Sequence, residues 1–259
     1  MNVPTMADMM AQGKQPEVLF WVGAAGSYDD RAKKITKAFV KILTKAGVDF
    51  AVLGTEESST GDAAKRAGNE FLFQMQAMMN IEVLNGYEVK TIVTCDPHSF
   101  NTLKNEYPEL GGAYKVYHHT QFINKLISEG RLSIDDANLK GKRLTYHDPC
   151  YLGRANDVYE TPRELIRSLG VKMTEMKRHK STALCCGAGG AQMFKEPEKG
   201  TMDINVLRTE DALKTNPQII ATGCPYCNTM MTDGVKFKMK EDQIVVKDIA
   251  ELIAEANNL

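Results

Sequence analysis

The stretch Gly223-Cys224-Pro225-Tyr226-Cys227-Asn228-Thr229 combines with Leu184-Cys185-Cys186-Gly187 and with Cys150 into one pattern. Thirty-four residues separate Cys150 from Cys185, and thirty-seven separate Cys186 from Cys224. Five of the six cysteines of the chain belong to this pattern. Thiolates at such spacing are typical of soft-metal or iron–sulfur ligation. A lone Cys-x-x-Cys would be weak evidence, but the combination is a strong signal.

Each cysteine-bearing turn follows a short apolar run that reads as a strand, and helical patterns alternate with these runs. This alternation predicts an α/β protein with mainly parallel sheets. Strands are predicted at 17–22, 49–53, 90–94, 114–118, 143–147, 171–176, 218–222 and 243–246. The main helices are predicted at 27–46, 63–80, 161–169, 202–214 and 248–256.

The two halves of the chain repeat each other at an offset of 126 to 128 residues. Ile92-Val93-Thr94 matches Ile220-Ala221-Thr222, for example. Such a repeat indicates duplication of one α/β unit, with the two copies related by a pseudo-twofold axis. The cysteines of the second copy project onto five first-copy residues without sulfur: Ala24, Ser58, Ser59, Asp96 and Ser99. We therefore predict that the first copy holds no metal centre, because hydroxyl and carboxylate groups are harder ligands than thiolates.

The duplication predicts three segments: an N-terminal tail over 1–15, a first domain over 16–135, and a second, ligand-bearing domain over 136–259. The polar, turn-rich segment around 131–142 marks the boundary between the two domains. A chain of 259 residues is near the length at which one core divides into two.

Composition excludes several classes of function. The net charge is −1, from 32 Lys and Arg against 33 Asp and Glu, so nucleic acid is not expected as a partner. No apolar run is long enough to cross a bilayer, so membrane contact is expected only through a partner. The first fifteen residues have no apolar core of a signal peptide. A cytoplasmic location with reduced cysteines is therefore expected.

The motifs His147-Asp-Pro-Cys-Tyr-Leu-Gly-Arg154, Leu184-Cys-Cys-Gly-Ala-Gly-Gly190 and Gly223-Cys-Pro-Tyr-Cys-Asn-Thr229 resemble those of the CCG cysteine-rich domain family. The chain is similar to the component of heterodisulfide reductase that carries a pair of CCG domains. It is also similar to the iron–sulfur subunits of glycolate and lactate oxidation and of anaerobic glycerol-3-phosphate dehydrogenase. The resemblance covers residues from about 17 to 256. It implies an iron–sulfur electron-transfer subunit of an oxidoreductase complex, in which a disulfide or a quinone is reduced.

The resemblance also implies a set of ligands and partners. Cys150, Cys185, Cys186, Cys224 and Cys227 would hold one cluster, which in some family members is a noncubane [4Fe-4S] cluster, with Gly187 beside it. A ferredoxin-type iron–sulfur subunit or a flavoprotein would exchange electrons with it. Such a complex can lie at the inner face of the membrane through its partners. The substitutions in the first copy argue against any mechanism that needs two clusters.

Two other functions fit the cysteines. The chain could be a zinc-stapled assembly module without a redox role, although a tetrahedral zinc site needs only four thiolates. Cys224 and Cys227 could instead act as a redox dithiol without any metal. Anaerobic metal and sulfide analysis distinguishes these alternatives.

Several neighbouring residues keep two interpretations. His147 and Asp148 could be a proton donor and its orienting partner, or a packed histidine and a turn-stabilising carboxylate. Gly187, Gly189 and Gly190 could cradle a phosphate, or let the backbone approach a cluster. The basic segment 177–180 could steer an anionic partner, or be a solvated surface. Cys95 is expected to be a core thiol.

Overall fold

The computed structural model describes residues 3–135, 138–196 and 199–259. Two four-stranded parallel sheets form the framework, with strand orders β2-β1-β3-β4 and β6-β5-β7-β8. The strands are β1 Val18–Trp21, β2 Phe50–Ala51, β3 Thr91–Thr94, β4 Lys115–His118, β5 Arg143–Tyr146, β6 Lys172–Met173, β7 Ile219–Thr222 and β8 Val245–Asp248. The predicted α/β class and the duplication are thus confirmed, because the same strand order occurs twice.

Helices connect and cover the strands. They are α1 Met6–Ala11, α2 Gly23–Tyr28, α3 Ala32–Lys45, α4 Asp62–Arg66, α5 Glu70–Gly86, α6 Pro97–Asn101, α7 His119–Ser128, α8 Glu160–Ser168, α9 Ile204–Leu213, α10 Pro225–Phe237 and α11 Ile249–Ala256. Because the strands of each sheet are parallel, their carboxyl ends lie at the same edge of that sheet.

The N-terminal segment, predicted as a tail, includes α1 within its described part. Thr5 forms an isolated parallel bridge with Val52, and its side chain caps α1 through the backbone N–H of Asp8 at 3.1 Å. Met6 and Met9 are 2% and 5% exposed and belong to the apolar core behind the first sheet. Their burial anchors residues 5–11 to the first copy.

One apolar core joins the two copies. It contains buried residues of α3, among them Phe39 and Ile42, together with Ile249 and Leu252 of α11. Arg31 donates hydrogen bonds to both carboxylate oxygens of Glu251, at 2.8 and 2.7 Å. The boundary near residue 135 remains a prediction, and residues 136 and 137 lie outside the described residues.

Candidate metal centre

The five cysteines of the pattern lie in the segments that follow β5, β6 and β7. Cys150 is in the turn after β5, and Cys185 and Cys186 are in the loop that leads toward α9. Cys224 is the N-cap of α10, where Pro225 occupies the first helical position, and Cys227 is in the first turn. Cys186, Cys224 and Cys227 are buried, whereas Cys150 and Cys185 are half-buried.

The five sulfurs form one continuous chain of contacts. The Cys227 thiol donates to the Cys186 sulfur at 3.4 Å. The side chains of Cys150 and Cys185, of Cys185 and Cys186, and of Cys227 and Cys224 also interact with each other. No disulfide is present among them, since all are free thiols. The sequence pattern therefore corresponds to one cluster of sulfur atoms.

The thiols cannot all ionise without a compensating positive charge. Hydrogen bonds from Cys150 and Cys186 lower the pKa of Cys185, and the Gly187 N–H adds a third at 3.2 Å. The pKa values of Cys150 and Cys186 are raised, first by their hydrogen bonds to Cys185 and also by burial. A buried group of several thiolates is costly unless a cation offsets the charge.

The residues fit a soft metal or an iron–sulfur cluster. Each ligand candidate is a thiol, and backbone N–H groups point at two of the sulfurs: Gly187 at Cys185, and Cys227 at Cys224 at 3.5 Å. Gly187 has φ +96°, a conformation that favours glycine. Ala188, Tyr226 and Met230 pack against the sulfurs and exclude water from one side. Proteins tune the reduction potential of such clusters with N–H donors and with apolar side chains that exclude water.

His147 and Arg208 form a hydrogen-bonded pair next to the sulfurs. Both side chains are fully buried, and the Arg208 Nε donates to His147 Nδ1 at 3.0 Å. A ring nitrogen of His147 and the sulfurs of Cys186 and Cys227 all lie within 4.8 Å of one another. Burial, reinforced by the charge of Arg208, lowers the pKa of His147 to about 3. His147 is therefore neutral under ordinary conditions.

Asp148 does not orient His147. Its carboxylate accepts from Arg163 at 2.7 and 2.9 Å, and from the Lys180 N–H at 2.8 Å. This arrangement fixes the segment that precedes Cys185. The sequence interpretation of Asp148 as a turn-stabilising residue fits these bonds, and Arg208 takes the orienting role. Arg208 carried no sequence signal of its own, because its partner lies 61 residues away.

A histidine of the first copy also supports the site. His118 donates from Nε2 to the carbonyl of Gly223 at 3.0 Å, one residue before Cys224. Its Nδ1 lies 2.7 Å from the Thr120 hydroxyl, which fixes the ring. The adjacent His119 pairs with Asp248 at 2.9 Å. The first copy thus positions a turn that bears ligands in the second copy.

The predicted positions of the first copy line a cavity of about 110 Å³, which they share with Gly189 and Tyr226 of the second copy. Their polar groups bond within the protein. The Ser58 hydroxyl bonds to Asn80 at 2.9 Å, and Asp96 caps α6 through the N–H groups of His98 and Ser99. Cys95 is 3% exposed within the shared core, as expected.

The basic segment before Cys185 is mostly paired. Arg178 bonds to Asp211 at 2.7 Å, and Lys180 to Glu160 at 2.6 Å. His179 bonds through Nδ1 to the carbonyl of Met176 at 2.9 Å, and Lys177 is exposed. These pairs favour the interpretation as a solvated surface over a steering patch.

Fold and site together define a duplicated α/β protein with a thiol-rich centre in its second copy. The model of the cysteine-rich domain, CCG, matches residues 18–104 and 144–232. The chain belongs to this cysteine-rich domain family. The two matched segments correspond to the two copies, although the first lacks the sulfur ligands.

Curated relatives extend the comparison. The chain is 49% identical over 256 residues to the probable iron–sulfur-binding oxidoreductase FadF of Bacillus subtilis, covering 98% of this chain and 36% of that protein. It is 44% identical over 262 residues to the EtfAB:quinone oxidoreductase of Syntrophomonas wolfei, again covering 98% and 36%. A component of the dihydromethanophenazine:CoB–CoM heterodisulfide reductase of Methanosarcina barkeri is 34% identical over 250 residues, covering 94% and 59%. The chain spans about a third of the length of the first two relatives.

None of the helices in the described ranges has the length and apolar character needed to span a bilayer.

Proposed function

We propose that the chain is an iron–sulfur electron-transfer unit of an oxidoreductase complex, holding one cluster through Cys150, Cys185, Cys186, Cys224 and Cys227. The observation that carries the proposal is the single contact chain of five free sulfurs, three of them buried. Relatives named for iron–sulfur binding, quinone reduction and heterodisulfide reduction support it. Five thiolates exceed what a tetrahedral zinc ion requires.

The chain's own residues have defined roles in this function. The five thiolates hold the cluster, the N–H of Gly187 donates to the Cys185 sulfur, and Ala188 and Met230 exclude water. When bound, the cluster supplies one-electron redox chemistry. A ferredoxin-type iron–sulfur subunit or a flavoprotein is the proposed electron-exchange partner, and association with a membrane would occur through such a partner. A noncubane [4Fe-4S] centre is the proposed cluster type.

The test is anaerobic purification followed by metal and acid-labile sulfide analysis and electron paramagnetic resonance. We expect about four irons and about four sulfides per chain, as for one [4Fe-4S] cluster. Cys186→Ser should lose the cluster, because Cys186 contacts sulfurs on both sides. Cys95→Ser is the matched control, since Cys95 is equally buried but lies in the apolar core.

Two results would contradict the proposal. One zinc per chain without sulfide would identify the zinc-stapled assembly module. Complete redox activity of metal-free protein, lost on substitution of Cys224 or Cys227, would identify a redox dithiol.

A further inference from the structure

The pairing of Arg208 with His147 determines which nitrogen of the imidazole carries hydrogen. A guanidinium group has only donors, so His147 Nδ1 must be the acceptor of the 3.0 Å bond from Arg208 Nε. In a neutral imidazole the single hydrogen then resides on Nε2. Arg208 is itself held by the Arg178 carbonyl, which accepts from Nη1 at 2.6 Å. The tautomer is therefore set by a fixed, fully buried partner.

The Nε2–H of His147 has no hydrogen-bond partner among the described residues and is shielded from solvent. Buried donors in proteins almost always have a partner, so an unpaired one calls for an explanation. A His147 ring nitrogen lies within 4.8 Å of the sulfurs of Cys186 and Cys227. Since Arg208 occupies Nδ1, Nε2 is the nitrogen left to interact with the sulfur centre.

We infer that His147 is a hydrogen-bond donor to the sulfurs of the bound cluster, positioned by Arg208, and not a metal ligand. Ligation through Nε2 would require the hydrogen to move to Nδ1, where it would oppose the Arg208 N–H. This inference rests on the proposed function, because the cluster supplies the acceptor. Hydrogen bonds to cluster sulfurs stabilise the reduced, more negative state and so raise the reduction potential.

The first experiment needs no cluster. Nitrogen NMR of ¹⁵N-histidine-labelled, metal-free protein reports the tautomer of each ring. We expect His147 to be protonated at Nε2, and Arg208→Met to release this preference. A ring protonated at Nδ1 in the unsubstituted protein would overturn the inference, whether or not iron binds.

The second experiment uses the anaerobically purified, cluster-loaded protein. Redox titration should show that His147→Phe shifts the ratio of reduced to oxidised cluster about tenfold toward the oxidised form at fixed potential, which is 59 mV for one electron. The amide of His147→Gln places an N–H near the Nε2 position. This variant should therefore recover most of the potential that His147→Phe loses. Cys95→Ser is the control, because Cys95 is equally buried but lies in the apolar core.

If the His147→Phe variant does not assemble its cluster, hyperfine spectroscopy of the unsubstituted protein tests the same inference. An exchangeable proton coupled to the cluster, with only weak nitrogen coupling from labelled histidine, supports the inference. Strong nitrogen coupling typical of direct ligation would overturn it, as would an unchanged potential in an intact His147→Phe cluster. Absence of any iron would instead contradict the proposed function and leave the NMR test valid.

Discussion

Asp62 and His98 form a part-buried ion pair at the edge of the first-copy cavity. Asp62 accepts from His98 Nδ1 at 2.9 Å and from Arg66 Nε at 3.0 Å. Burial opposes the charge on His98, but the hydrogen bond to Asp62, with the nearby charges of Asp96 and Cys224, raises its pKa to about 9. Because the pKa in the folded state exceeds the reference value near 6.5, the pair stabilises the protein fully below pH 6.5. The stabilisation is lost as the pH rises through 9.

The first prediction follows from the raised pKa of His98. As the pH rises from 6.5 to 9.5, the loss of the proton from His98 should lower the free energy of unfolding by on the order of 3 kcal/mol. Asp62→Asn should abolish most of this pH-dependent loss, because burial would then favour the neutral ring. Urea unfolding of both proteins at the two pH values measures the difference. If the double variant with His98→Asn shows the two effects adding, the pair is not the source.

At the scale of single elements, α8 is attached to the site through one buried arginine. Arg163 is 1% exposed and donates to both oxygens of Asp148 and, at 2.6 and 3.0 Å, to both oxygens of Glu175. Asp148 also accepts from the Lys180 N–H. The hydrogen bonds of Arg163 therefore connect α8 to the end of β5 and to the segment before Cys185.

The second prediction is that Arg163→Met lowers the free energy of unfolding by about 3–5 kcal/mol, because it leaves the Asp148 carboxylate buried and unpaired. Arg167→Met, on the same helix, removes an ion pair with Glu160 whose side chains are 59% and 52% exposed. That change should cost less than about 1 kcal/mol. Denaturant unfolding of the two variants measures the difference. Equal losses would mean that both changes weaken the helix itself, and that the hydrogen bonds of Arg163 are not the cause.

The sequence predicted the elements better than their ends and their long-range contacts. All eight strands of the described ranges were predicted, since parallel strands are continuous apolar runs. The helix predicted over 63–80 is two helices, α4 and α5. Gly68 has φ +86° and Asn69 caps α5 through the Leu72 N–H at 3.1 Å, so the local signal for the break was present. The burial of Arg208 depends on His147, a tertiary contact that no local pattern encodes.

At the scale of the whole molecule, the two copies depend on each other. The apolar core contains residues of both, and α3 of the first copy packs against α11 of the second. His118 bonds to the Gly223 carbonyl beside Cys224, and His119 bonds to Asp248. The copy without the ligand cysteines thus builds part of the site in the copy that has them.

The third prediction is that residues 138–259, although they contain all five cysteines of the site, neither fold stably nor hold iron alone. Without the first copy, the face of α11 that packs against α3 would be exposed, and Asp248 and the Gly223 carbonyl would lose their histidine partners. Circular dichroism and iron analysis of the fragment, with the complete chain as control, measure this. Adding residues 1–135 as a separate chain should recover part of the fold. A fragment that folds cooperatively and binds a full complement of iron would show that the second copy is an independent domain.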